Sequence, residues 1–307
     1  MGGVSAVLAS IPSPPSGVYK VGPFTLHMYG VMLLLGIAAA MWLTGRRWVK
    51  LGGDWDLVYR VTISGVVAGI VGARLYHDVT SWNQDSAIHA HWYGPFAVWQ
   101  GGLGIWGGIA FGVLAGAWVV RRSGNSVRLF MDAVAPGLLL AQAIGRWGNW
   151  WNQELYGTHT TLPWALEIHG KAAADLYHPT FLYEFIWDGL GVLLLLWIDR
   201  RYKIRRPGLF ALYVAYYCVG RTFEELLRTD PSSHFLGERL NFWVSLAVLL
   251  ASASFFVWWQ FLRKPAEEGP RAPRPPRRRL RLPLLERRKA AQAKQRPRMA
   301  VPKGRVR

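Results

Sequence analysis

The chain has 307 residues; 51% are hydrophobic, 17 are Trp, one is Cys, and the formal net charge is +18. The lone Cys218 excludes an intrachain disulfide and a cysteine metal cluster, and its apolar setting marks it as a small core residue. A Pro- and Arg-rich tail dilutes the mean hydropathy to +0.13; without it the composition is that of a polytopic membrane protein.

Residues 1–20 hold no basic stretch followed by an apolar one, so no cleavable signal peptide is expected and the first spanning helix directs insertion. Seven apolar stretches then approach the roughly 20 residues that cross a bilayer. The first, 24–45, opens with His27 and Tyr29; the second, 57–76, ends on Arg74 and Tyr76, with His77 just beyond. The third, 103–120, belongs to a glycine-dense segment, WQGGLGIWGGIAFG at 99–112, that lets helices approach closely. The fourth, 129–144, is the weakest, being short and carrying Asp132 and Pro136. Directly after it comes GRWGNWWNQELYG at 145–157, which places Arg146, Asn149, Asn152 and Glu154 where the chain leaves the membrane. HPTFLYE, with His178, Tyr183 and Glu184, leads into the fifth, 179–198. The sixth, 208–227, ends with Arg221, Glu224 and Glu225, followed by Arg228; the seventh spans 240–262.

Basic residues set the orientation. Arg46, Arg47 and Lys50, then Arg121, Arg122 and Arg128, then Arg200, Arg201, Lys203, Arg205 and Arg206 fall between alternate stretches, on the same side as the tail. The opposite segments carry only Lys20, Arg146, Lys171, Arg228 and Arg239. This positive-inside bias predicts an all-α integral membrane protein of about seven transmembrane helices, N-terminus out and C-terminus in, with a small outer-face segment between helices 4 and 5. The expected division is an outer segment 1–23, a membrane domain 24–262 and a basic, disordered cytoplasmic tail 263–307. The tail lacks interleaved aromatics and any recognisable binding module, so its partner is expected to be anionic lipid, at about 1 kcal/mol per Lys or Arg near the surface, and not nucleic acid.

With that topology, five segments send polar groups toward the outer leaflet. An arginine at the centre of a spanning helix is disfavoured by roughly 2.5 to 3.5 kcal/mol on insertion scales. Snorkelling to the interface accounts for one such residue; three, Arg74, Arg146 and Arg221, point to a site. A guanidinium is always charged and forks onto two oxygens, so its natural partner in lipid is a phosphate headgroup. Arg221 and Glu225 are four apart, as are Glu224 and Arg228, so each pair can meet on one helix face. His89 and His91 lie in a polar loop, and the other histidines lack metal-ligand spacing; no metal or other cofactor is expected. No serine elbow, phosphate-binding loop or dinucleotide fingerprint occurs. An anion carrier is the main rival reading, but a carrier opens to both sides, and the inner ends are expected to show no second polar cluster.

The motif at 145–157, together with VGPFTLHMYG (21–30), GARLYH (72–77), WQGGLGIWGG (99–108), HPTFLYE (178–184) and the Arg221 to Arg228 segment, resembles the prolipoprotein diacylglyceryl transferase family in the family's order. The resemblance implies a multi-pass enzyme of the bacterial cell membrane. Its substrates would be phosphatidylglycerol and prolipoprotein signal peptides with a lipobox cysteine, and it would release glycerol phosphate. By that resemblance Tyr29, Asn149 and Arg221 are expected to be catalytic and Arg146 and Gly157 to bind substrate, with Arg146 on the lipid phosphate and Glu154 and Glu225 supporting; from their positions in the chain His27 is added to the catalytic set and Arg74 to the substrate-binding set. One departure stands out: many family members have histidine, a candidate general base, where this chain has Trp106. His27, Tyr29 and His178 are the alternatives, or no dedicated base exists.

Overall fold

The computed structural model describes residues 10–171 and 175–263. The basic tail beyond Arg263 and the first nine residues lie outside the described residues.

The membrane-facing run expected from residue 24 begins instead with a hairpin. Strands β1 (Val18–Val21) and β2 (Phe24–His27) pair antiparallel across a two-residue Gly22-Pro23 turn, with Gly22 at φ +61°, where a side chain would strain. Helix α1 (Met28–Lys50) follows directly, so Tyr29 sits in a first helical turn and His27 in a strand. Asp54 caps α2 (Trp55–Ser81) through the Leu57 N–H at 2.9 Å. The short α3 (Ala87–Ala90) and two 3-10 turns lead to α4 (Ile105–Arg122) and α5 (Val127–Asn152). Then come β3 (Leu166–Glu167), β4 (Leu176–Tyr177), α6 (Thr180–Arg201), α7 (Gly208–Glu225), β5 (His234–Phe235), β6 (Glu238–Arg239) and α8 (Leu240–Val257), which ends in a π turn at Trp258–Leu262. Among the described residues the strands form only two-stranded ladders, with no closed barrel.

Five helices are long and apolar enough to cross a membrane: α1, α2, α5, α6 and α8 with its π turn. The remaining two, α4 and α7, have 18 residues each and carry charge at one end, Arg121 and Arg122 in α4 and Arg221, Glu224 and Glu225 in α7. Across the helices many large apolar side chains face outward, among them Leu114 of α4, Leu193 of α6, Leu250 of α8 and Phe261 of the π turn, which suits hydrocarbon rather than water as solvent.

The stretch expected to be weakest forms a 26-residue helix that runs through Pro136 and on through the first eight residues of the 145–157 motif. Proline removes the N–H that would bond the carbonyl four residues back, that of Asp132. Arg47 supplies the missing donor from α1, its Nη2 donating to the Asp132 carbonyl at 2.9 Å, and its Nε adds a bond to that of Ala133 at 3.0 Å. Arg47, counted above among loop charges, is therefore a half-buried strut.

Helices pair as α1 with α5, α2 with α4, α5 with α6, and α7 with α8. At the α2–α4 contact a Cβ on Gly107 would lie 2.1 Å from the Gly72 carbonyl oxygen, so only glycine allows this approach. Trp48, Leu57, Val58, Val120, Phe130 and Ala133 fill one core; Leu139, Val192, Leu195 and Leu209 fill another between α5, α6 and α7.

One end of the bundle holds a charged cluster that the sequence reading did not expect there. Arg47 pairs with Asp199 at 3.1 Å, and Arg206 reaches Asp132 at 3.2 Å and Asp199 at 3.3 Å. The fully buried Asp132 also accepts from the Phe210 N–H at 2.8 Å, capping α7 from a neighbouring helix. Two guanidiniums thus face two carboxylates, and the cluster ties α1, α5, α6 and α7 together.

Candidate active site

At the opposite end of the bundle the last turns of α5 carry Arg146 and Asn149, and the helix stops at Gln153, whose φ of 53° turns the chain back. The return places Glu154 where the Asn149 amide donates to it at 2.8 Å and that of Asn152 at 3.5 Å. Gly148 makes room for Tyr29 of α1: a Cβ there would lie 2.7 Å from the Tyr29 ring. Tyr29 consequently sits within the fields of Glu154 and Arg146.

Gly157 acts through close approach, since an added Cβ would stand 2.8 Å from the His178 Cβ and 3.1 Å from the Leu227 carbonyl oxygen. Its N–H donates to the His178 carbonyl at 2.9 Å, it bridges to Arg228, and the neighbouring Thr158 N–H donates to Leu227 at 2.8 Å. The segment after α5 is thereby pinned to the start of α6 and the end of α7.

These attachments close a dense ion network. The Glu184 carboxylate, on α6, lies against Arg146 through one oxygen and accepts from Arg221 at 3.0 Å through the other. Arg221 also holds Glu224 at 3.0 Å and contacts Glu225. Glu225 in turn meets Arg239 at 2.6 Å and Arg228 at 3.9 Å, and both of these arginines bind Asp230, at 2.8 and 2.7 Å. Burial alone would raise the Asp230 carboxyl, but hydrogen bonds and charge from Arg228 and Arg239 outweigh it and hold it below the ordinary value. The Tyr217 hydroxyl lies 3.5 Å from Arg146. A cavity of about 290 Å³ opens beside the network between α6 and α7, lined by Tyr183, Glu184, Asp188, Tyr217 and Arg221 among others.

Of the residues singled out from sequence, the structure brings Tyr29, Arg146, Asn149, Glu154, Arg221 and Glu225 around this end, with Gly157 fastening the segment beside them. Arg74 stands in a separate set of bonds: it pairs with Asp78 at 3.1 Å and donates to the carbonyls of Gly94, Pro95 and Gly101 at 2.6 to 3.0 Å, clamping the loop before α4. His27 is exposed on β2, with no side-chain bond to the network among the described residues. His178 pairs through Nδ1 with the Tyr183 hydroxyl at 3.1 Å, and partial burial pulls its imidazole below the usual value. Trp106 is exposed at the start of α4.

Sequence reasoning left Glu184, Asp188, Asp230 and Arg239 without a role. Glu184 and Asp188 are four apart on a helix that is otherwise largely apolar, the spacing that puts both on one face. Asp188 is 2% exposed, and one of its oxygens has no hydrogen-bond partner among the described residues. Arg239, counted as an outer-loop charge, is buried.

A family model described as prolipoprotein diacylglyceryl transferase matches residues 16–258. The chain is 46% identical over 264 residues to the phosphatidylglycerol--prolipoprotein diacylglyceryl transferase of Streptomyces griseus, covering 85% of this chain and 81% of that protein. It is 48% identical over 254 residues to the first of two such enzymes of Streptomyces coelicolor, covering 81% and 74%. For the Mycobacteroides abscessus enzyme the identity is 44% over 270 residues, covering 81% and 78%. With matches of this length and identity, the chain belongs to the prolipoprotein diacylglyceryl transferase family.

Proposed function

We propose that this protein transfers the diacylglyceryl group of phosphatidylglycerol to the lipobox cysteine thiol of prolipoproteins, releasing glycerol phosphate, the first step of lipoprotein maturation. In this reaction a carbon–oxygen bond to phosphate breaks, a carbon–sulfur bond forms, and the thiol proton is released. The leaving phosphate gains negative charge, which oriented guanidiniums in a poorly hydrated site stabilise far better than water does. The observation that carries the reading is the convergence of Arg146 and Arg221, from different helices, on the two oxygens of one carboxylate beside a cavity.

Arg146 and Arg221 are the phosphate-binding pair in this reading, with Tyr29 and Asn149 at the reacting end and Glu154 and Glu225 orienting Asn149 and Arg221. Gly157 keeps the outer segment seated. Arg74 supports the site at a distance by fixing the loop before α4. An ordinary thiol titrates near 8.5, and the cationic field of the two arginines favours the thiolate without a histidine at position 106. The protein is proposed to cross the bacterial cell membrane seven times, α4 and α7 included, with the N-terminus outside, an outer segment 1–23, a membrane unit 24–262 and a cytoplasmic tail from 263 that contacts anionic lipid. The deciding assay is glycerol phosphate release by the purified protein from phosphatidylglycerol, dependent on a lipobox peptide. Release that a Cys→Ser peptide supports equally well would refute the reading.

A further inference from the structure

The site that would receive a phosphate already holds an anion. Glu184 gives one carboxylate oxygen to Arg146 Nε and the other to Arg221 Nη1, the latter at 3.0 Å. A phosphodiester would offer its two non-bridging oxygens to the same donors. Charge counting leads to the same place. Arg146, Arg221, Arg228 and Arg239 stand against Glu184, Glu224, Glu225 and Asp230, and Asp188 lies buried nearby within the field of Arg146. Among the described residues the network therefore has no surplus positive charge, and an arriving phosphate engages the two arginines by taking them from a carboxylate.

Geometry selects which one. Among the described residues Glu225 is also held by Arg239 at 2.6 Å, Asp230 is bound by Arg228 and Arg239, and Glu224 pairs with Arg221 alone. Glu224 and Glu184 both border the cavity between α6 and α7, but Glu184 is the carboxylate shared by both arginines, so only its movement into that space frees the pair.

Resting on the reading above, we propose that Glu184 is an internal placeholder: it occupies the arginine pair in the empty enzyme, and the lipid phosphodiester displaces it toward the cavity. The competition raises the affinity a ligand needs, so weakly bound anions do not hold the site. Glu184 is accordingly a positioning residue that acts through Arg146 and Arg221.

The test measures binding of phosphatidylglycerol in detergent micelles, without peptide acceptor, to wild-type protein, Glu184→Gln, Glu184→Asp and Arg146→Ala. Glutamine keeps the shape and loses the charge, so Glu184→Gln is expected to bind about tenfold tighter, as when a competitor that fills the site nine times in ten is removed. KM should fall in proportion, and kcat should not rise. Should Glu184→Gln fail to fold, Glu184→Asp, a methylene too short to bridge both arginines, should still bind more tightly than wild type. Unchanged or weaker binding in a normally folded variant overturns the placeholder, because a mere prop for the arginines would weaken binding when removed. Arg146→Ala separates the two ideas: loss of binding there without a gain in the Glu184 variants refutes the placeholder alone. Unimpaired binding in Arg146→Ala refutes the phosphate site, and the placeholder with it.

Discussion

Replacing Arg146 and Arg221 in turn separates catalysis from stability, because their partners differ. In Arg146→Ala, Glu184 keeps Arg221 at 3.0 Å, so the carboxylate that Arg146 contacts still has a guanidinium, while the buried Asp188 loses the field of Arg146 but no ion pair. The loss is one charged hydrogen-bonding partner, about 1 to 3 kcal/mol. In Arg221→Ala, Glu224 loses its ion-pair partner while buried, and Glu184 and Glu225 each lose one. Breaking a buried pair on one side costs about 3 to 5 kcal/mol, so this variant should melt well below Arg146→Ala. Turnover should order differently. Removing one oriented donor to a transition-state oxyanion costs about 100- to 1,000-fold in rate, and Arg146→Ala should show that loss at saturating phosphatidylglycerol while still folded. Arg146→Lys keeps the charge without the planar fork, so it should retain binding better than turnover. Glycerol phosphate release and thermal melting, measured on the same preparations, give both numbers. Normal turnover in Arg146→Ala would refute the phosphate-site reasoning, and an Arg221→Ala protein as stable as Arg146→Ala would refute the network accounting.

The two glycines at the start of the 145–157 motif should respond oppositely: Gly145 has open space around it, so Gly145→Ala should keep activity and raise helix stability by up to about 1 kcal/mol, whereas Gly148→Ala collides with Tyr29 at 2.7 Å and should lose activity, as the transferase assay will read. Asp230 has its folded pKa depressed below the unfolded value, so its contribution to stability is complete above pH about 4 and fades as pH falls through the folded value. Asp230→Asn should therefore melt below wild type at neutral pH, with the gap closing in acid; a gap that persists in acid contradicts the pairing. In a Cys218-free background, a cysteine at Lys171 should label from outside and one at Lys294 only after permeabilisation; the reverse pattern would overturn the orientation. Truncation after Lys264 should leave most transferase activity in detergent.

The helical membrane character was legible in the sequence because it depends on composition and run length, which lipid reads directly through the cost of unsatisfied backbone and exposed charge. The clustering of Arg146, Asn149, Arg221 and Glu225 was legible for a related reason: a polar residue inside an apolar run needs a partner, so its presence announces one. Which partner it finds was not legible. Arg74 looked like Arg146 and Arg221 in the chain, but the fold gives it backbone carbonyls and Asp78. Arg47 and Arg239 looked like loop charges and are struts between elements, Arg47 half-buried and Arg239 buried. The fourth stretch looked weak because it was short and carried Asp132 and Pro136, and the donor that proline lacks comes from the neighbouring α1, where Arg47 bonds the Asp132 carbonyl. Glu184 carried no local sign that it bridges residues 146 and 221. Pairing among charges is decided by distances across helices, and those are set by glycine contacts and core packing that no single stretch of sequence contains.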